Sequence, residues 1–353
     1  MPSTTYTYDA LNRISTVSQP WAGAGGGFAV TTYGYDIQDH LTSVLDAVGG
    51  STTYVYSDRD LMTQQFSEVS GTTTYSYNAR GSLATELDAR GVTISRNYDA
   101  MNRPATVGAL PAIDYASASL DVNYVWGSNA GAFEKGRLKT ISTTSTSIAY
   151  EYDRFGRMTQ DGSLGYSFDK NDNATQIAYP GGVLATYTFD FADRQASLSV
   201  TKGGYPPEVV VSSAAYRPFG PLSSFGFGGG PTVTRTTDSR YLVDRISTSN
   251  GVFDWDYTVD PMGNPTAIDD MSSVDQDRSF VYQDYAYFLT SGDGPWGARD
   301  WTYDMIGNRR TEVRGATTDV YTYTQFGGHD TSKLAQIAIG GGGGTKTYTY
   351  NAS

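Results

Sequence analysis

A tyrosine–aspartate tetrad recurs down this chain at a fixed interval. Tyr6-Thr-Tyr8-Asp9, Tyr33-Gly-Tyr35-Asp36, Tyr54-Val-Tyr56-Ser57, Tyr75-Ser-Tyr77-Asn78 and Arg96-Asn-Tyr98-Asp99 follow one another, with steps of 21 residues from Tyr35 through Tyr56 and Tyr77 to Tyr98. Later copies stand at Tyr150-Glu-Tyr152-Asp153, Tyr166-Ser-Phe168-Asp169, Tyr187-Thr-Phe189-Asp190, Tyr257-Thr-Val259-Asp260, Trp301-Thr-Tyr303-Asp304 and Tyr321-Thr-Tyr323-Thr324. The aromatic-x-aromatic spacing has period two, which puts both rings on one face of a strand. Rings at matching positions of successive repeats are expected to pair into a ladder, at about 0.2–1 kcal/mol per pair.

Three places after the aspartate position stands Asn12, Asp39, Asp60, Gly81, Asn102, Gly156, Asp172, Asp193, Gly220, Gly263, Gly307 or Gly327. Glycine, asparagine and aspartate enter the left-handed αL region most easily. That is the requirement of a hairpin loop built from a type I turn and one αL residue. The leading Asp or Asn accepts forward hydrogen bonds and nucleates the turn. A return strand then starts at Arg13-Ile14, Arg137-Leu138 or Arg157-Met158, and a second turn such as Asp88-Ala-Arg-Gly91 closes the period. Residues 1–353 are thus expected to form a single array of about 16 hairpins, or about 30 strands, with no separate catalytic domain.

The fold class expected is all-β, made of antiparallel hairpins. Gly and Pro total 40 and 13, which interrupts any long helix. A lone hairpin is marginal, so each must lie against its neighbours, and strand twist forces a long meander to curl. A curled single layer encloses space. Its radius of gyration should exceed the roughly 20 Å of a solid globule of this length, and small-angle scattering that returned the compact value would refute the expectation.

The formal net charge of −12 disfavours nucleic acid and anionic membrane as partners. Cysteine is absent, which removes disulfides, thiolate nucleophiles and zinc–cysteine sites. No apolar run approaches the roughly 20 residues of a spanning helix, and no export signal is visible in the first 20 residues.

The near-intact run Tyr150-Glu-Tyr-Asp-Arg-Phe-Gly-Arg-Met158 resembles the YD repeat of bacterial RHS proteins. Gly294-Pro-Trp-Gly-Ala-Arg-Asp-Trp-Thr-Tyr-Asp-Met-Ile-Gly-Asn-Arg309 and Tyr216-Arg-Pro-Phe-Gly-Pro-Leu222 resemble the same family, and the likeness runs from Thr5 to Asn351. The resemblance implies a spirally wound, hollow β-hairpin shell. Such shells occur in insecticidal toxin complexes, polymorphic toxins and teneurins. In bacterial members the shell encloses a C-terminal toxin or effector polypeptide, and it is secreted or surface-exposed, often with a secretion-apparatus partner. The family's Asp-Pro-Leu-Gly-Leu core and self-cleaving aspartates have no match here, so a partial shell is expected, with the remaining repeats as partners and any export signal elsewhere.

His40 follows an αL position and is expected to be a solvated turn residue. His329-Asp330 offers two triad residue types, but no Gly-x-Ser-x-Gly accompanies them and strand neighbours point apart. Asp260-Pro-Met-Gly263 faintly resembles the RHS cleavage site yet occupies an ordinary turn position. Asp269, Asp270, Asp275 and Asp277 supply oxygen ligands without the glycine and glutamate of a calcium loop, so a mobile acidic loop is expected. The glycine runs 23–27, 226–230 and 340–344 match no phosphate-binding motif and are expected to be flexible insertions. No catalytic residue, cofactor or metal is therefore expected. A second reading takes Trp21, Trp126 and Trp296, which lie outside the ladder, as sugar-stacking residues of an adhesive surface.

Overall fold

In the computed structural model, which describes residues 3–21, 26–110 and 121–350, the chain forms 31 strands and one short 3-10 turn, Val274–Gln276. Among the described residues there is no α-helix, and every strand pairing is antiparallel between consecutive strands. The chain divides into two compact units, Met1–Leu120 with Ser279–Ser353, and Asp121–Arg278.

The hairpins share one local geometry. In the first, the Asn12 N–H donates to the Asp9 carbonyl at 3.0 Å and the Asp9 N–H to the Arg13 carbonyl at 2.9 Å. The same pair of bonds closes Asp99–Arg103, Asp153–Arg157, Asp190–Arg194, Asp260–Asn264 and Asp304–Asn308. The αL residue has φ of 64° at Asn12, 85° at Gly81, 64° at Asn102, 88° at Gly156, 93° at Gly263 and 89° at Gly307. Immediately inside each turn the register slips: Thr7 faces Thr16 but Tyr8 faces Ile14, leaving Ser15 unopposed. The slip recurs at Tyr35, Tyr56, Tyr77, Tyr152, Phe168, Phe189 and Tyr303. One bulge per hairpin adds twist at the same point of every repeat.

Three expectations need correction. At Arg217-Pro-Phe-Gly220 the left-handed residue is Phe219, with φ 55°, and not Gly220. Arg217 has no carboxylate to hold the type I loop, and Pro218 at the second place favours a type II turn, whose third residue takes positive φ. The glycine runs at 226–230 and 340–344 are tight connections, not insertions. They join Leu222–Phe227 to Thr232–Thr237 and His329–Ile339 to Gly344–Thr347. Of the run 23–27, residues 23–25 lie outside the described residues. The acidic stretch 269–277 is held by hydrogen bonds: the Asp270 N–H donates to Asp277 Oδ1 at 2.8 Å, and Trp255 Nε1 to Asp270 Oδ2 at 3.1 Å.

Neither unit has a conventional apolar interior. Pro20, Trp21, Ala185 and Val233 are the buried apolar side chains among the described residues, and most strand residues are half-buried. Hairpins held this thinly need lateral ties, and the turns supply them.

Candidate functional site: the ladder of turns

Apart from the one opened by Arg217, the turns described above begin with a side-chain acceptor. Asp153 Oδ1 accepts the N–H groups of Phe155 at 2.9 Å and Arg157 at 3.0 Å, and Oδ2 accepts Arg157 Nε at 2.7 Å. Asp9, Asp99 and Asp190 do the same with Arg13, Arg103 and Arg194. The Arg13 and Arg103 backbone N–H groups, foremost, hold the Asp9 and Asp99 carboxyls below their usual pKa. For Asp190 the Arg194 side chain is the main cause.

The residue four places after the aspartate, +4 below, then reaches into the next hairpin. Arg13 Nη1 donates to Asp39 Oδ1 and to the Asp36 carbonyl, both at 2.7 Å. Arg157 Nη1 does so to Asp172 Oδ1 and the Asp169 carbonyl, both at 2.8 Å. Asn173 Nδ2 reaches Asp193 Oδ1 at 2.8 Å, Ser82 Oγ reaches Asn102 Oδ1 at 2.6 Å, and His40 Nε2 lies 3.2 Å from Asp60 Oδ1. His40 is therefore no solvated residue: its other nitrogen meets Asp36 at 2.8 Å, and its ring stacks on Tyr56 at 4.4 Å. It fills the place that arginine fills elsewhere.

The αL residue thus answers the +4 residue before it. A donor at +4 meets Asp or Asn after Arg13, His40, Ser82, Arg157 and Asn173, while Arg194, which precedes Phe219, donates to the Arg217 carbonyl instead. Where that place is taken by Leu61 or Leu242, or by Phe288 five places after Gln283, the next αL residue is glycine, and a Cβ on Gly81, Gly263 or Gly307 would lie 4.0, 3.3 or 3.2 Å from that side chain. Arg137 before Gly156 departs from this, because its guanidinium donates to its own loop at the Phe133 carbonyl.

The aromatic ladder differs from ring-on-ring pairing. A return strand separates successive tyrosine strands, so their rings stand about 9.5 Å apart, two strand spacings. The +4 cation fills the gap. Arg13 lies 4.7 Å over Tyr35, Arg157 4.8 Å over Phe168, and Arg194 4.6 Å over Tyr216. Tyrosine hydroxyls add a second tie by donating to the preceding return strand: Tyr77 to Met62 at 2.6 Å, Tyr98 to Leu83 at 2.8 Å, Tyr152 to Leu138 at 2.7 Å, and Tyr323 to Arg309 at 3.0 Å. Burial raises the Tyr152 and Tyr323 hydroxyls above their ordinary pKa. Tyr98→Phe should lose about 0.5–1.5 kcal/mol without disturbing the sheet, since Phe168 and Phe189 hold equivalent places. An unchanged urea midpoint would contradict the role given to the hydroxyl.

Within the first unit, hairpins far apart in sequence also meet through side chains. Trp21 and Phe288 pack at 6.1 Å, Phe66 and Phe326 at 6.0 Å, and His329 Nε2 bonds Glu68. A cavity of about 350 Å³ at this seam is lined in part by Asp46, Glu68 and Asp330. Its carboxylates are engaged: Asp46 caps its own turn, Glu68 takes His329, and Asp330 takes Arg310 at 2.5 Å. His329 and Asp330 therefore serve different partners. Among the described residues no cluster of His, Asp or Glu is arranged to hold a metal ion. Asp260 accepts the Met262 and Asn264 N–H groups at 2.8 and 2.9 Å, as any turn aspartate does.

The three tryptophans differ in exposure and are divided between the two units. Trp21 is buried against Phe288 and presents no open face; Trp296 is 44% exposed in the same unit; Trp126 is half-buried in the other.

No protein-family model matches the chain, and no curated protein matches it in sequence. Solved structures do. The TcdB2–TccC3 crystal structure superposes with a TM-score of 0.81 over 95% of this chain, at 16% identity. A TcdB2–TccC3–TEV structure gives 0.79 over 98%, and a Photorhabdus luminescens Tc holotoxin pore gives 0.76 over 95%, both at 16% identity. The chain spans about a fifth of those chains, 22%, 23% and 21%. The likeness establishes the fold: an array of antiparallel β-hairpins shared with these Tc toxin structures.

Proposed function

We propose that the chain is a segment of a structural shell that encloses or displays a toxin or effector polypeptide in a secreted or surface-exposed assembly, and carries out no reaction of its own. One observation supports this most: the polar groups that enzymes spend on chemistry are spent here on joining each hairpin to the next. Asp153, Arg157 and Asp172 form a continuous chain of bonds across two turns, and Asp9, Arg13 and Asp39 form another. A thin sheet tied this way is a wall. Its shared fold with Tc toxin structures supports a toxin-associated setting for it.

The test is protection. A polypeptide that co-purifies with the full chain should resist protease while the chain is folded, and become labile once it is unfolded. Digestion at the same rate in both states would overturn the proposal. So would a turnover by the chain that His329→Ala abolishes.

A further inference from the structure

We propose that the place left by a missing ring at Ala214 is a pocket for one phenylalanine or tyrosine side chain of the enclosed or displayed polypeptide. This deepens the shell reading by giving the wall a point of hold on its passenger. It rests on that reading for the source of the ring, and the pocket itself is tested without it.

Each repeat sets two side chains on one face, two residues apart. In the unit Asp121–Arg278 the first of the two is Tyr150, Tyr166, Tyr187 or Tyr257, and Arg235 puts another long side chain there. In the hairpin of Glu208–Tyr216 with Leu222–Phe227 the second ring is Tyr216, but the first place holds Ala214. Ala214 and Tyr216 are half-buried while Ala215 between them is exposed, so the first two share a face. A methyl group stands where sister hairpins carry a ring. What remains is an open cavity of about 180 Å³, lined by Gln195, Val211, Ala214, Tyr216, Leu222 and Phe225.

Its walls are held apart. The Tyr216 hydroxyl donates to the Gln195 carbonyl at 2.7 Å, and Arg194 lies 4.6 Å over the Tyr216 ring. Phe225 packs edge-on against Phe227 at 5.2 Å. The backbone departs from the repeat at the same point. Ser212 faces Gly226 and Ala215 faces Ser224, so Ser213 and Ala214 together oppose Phe225. Ser213 has φ 52°, and among the described residues it is the one non-glycine residue with positive φ inside a strand. Such a conformation is strained and persists only where its surroundings hold it. A pocket fixed beforehand binds without the cost of forming it.

Size and lining select the occupant. Small-molecule sites run to roughly 300–1,000 Å³, whereas an apolar cavity of about 150 Å³ admits a benzene ring. At about 180 Å³ this one takes a single aromatic side chain. Five of its six lining residues offer carbon, and the one hydroxyl among them is already engaged. An extended polypeptide presents such a ring with its backbone left outside.

The probe is fluorobenzene, followed by fluorine NMR with the full chain, and the competitors are the peptides Gly-Gly-Phe-Gly-Gly and Gly-Gly-Ala-Gly-Gly. The fluorobenzene line should broaden, and the phenylalanine peptide should displace it at a concentration roughly tenfold or more below that of the alanine peptide. Ala214→Phe, which restores the ring from within, and Ala214→Leu, which fills part of the space, should both abolish the broadening while circular dichroism shows the strands intact. No broadening, or broadening unchanged in both variants, would overturn the proposal. So would equal displacement by the two peptides, or a probe that the phenylalanine peptide fails to displace, which would mark a cavity for small molecules only. None of these measurements asks whether a passenger resists protease, so the two readings fail separately.

Discussion

Gly263→Val should lower the melting temperature by about 5–15 °C, corresponding to roughly 2–4 kcal/mol in a unit of this size. Two costs add. Gly263 has φ 93°, where a β-branched residue is strained, and its Cβ would stand 3.3 Å from Leu242 Cδ1 in the preceding hairpin. The second cost separates a turn requirement from a lateral one. Gly263→Asp alone should also destabilise, because a carboxylate would face leucine. Leu242→Arg with Gly263→Asp should recover part of the loss by recreating the Arg157–Asp172 pair found elsewhere in the same unit. The Leu242 N–H bond to Asp238 at 3.0 Å survives that exchange, since it is made by the backbone. Thermal melts of the four chains form a double-mutant cycle. A coupling of zero would mean that glycine is there for its backbone alone.

The hairpins were legible in the sequence because few residue types enter the left-handed region, and they recur at one place after the aromatic pair. Strand periodicity added the face on which the rings lie. What joins one hairpin to the next was not legible in the same way. His40 and Asp60, Ser82 and Asn102, and Asn173 and Asp193 each stand 20 residues apart, but Arg13 and Asp39 stand 26 apart and Arg157 and Asp172 only 15, and the donor's residue type changes from pair to pair. The intervening return strand, which keeps neighbouring tyrosines from touching, has to be counted before the arginine's place is visible. The bulge inside each turn leaves no residue preference strong enough to mark it. At Arg217–Gly220 the glycine misleads, because the missing aspartate and the proline move the positive φ to Phe219. The seam of His329 with Glu68 joins positions 261 apart, and nothing in either local sequence announces it.

Acid should loosen the array more broadly than any single substitution. Asp9, Asp36, Asp99, Asp153, Asp169, Asp190, Asp238 and Asp260 all titrate below the ordinary value of 3.8. Asp99 owes this first to the Arg103 N–H, and Asp260 to the Asn264 side chain, while at Asp153 burial works against the bonds from Arg157 and is outweighed. A folded-state pKa below the unfolded one means that the unfolded chain binds protons more readily in this range. Stability from these groups is present in full above 3.8 and is lost as pH falls through their lowered values. The melting temperature, followed by circular dichroism, should be level near neutrality and fall steeply below about pH 4. Asp153→Asn isolates one contribution, because Asn78 shows that an amide oxygen serves the same turn, accepting the Arg80 and Ser82 N–H groups at 2.9 and 3.0 Å. That variant should be less stable at pH 7, having lost the charge facing Arg157, and should lose less between pH 4 and 2. A melting temperature independent of acid in the unsubstituted chain would mean that the turn carboxylates carry no weight in folding.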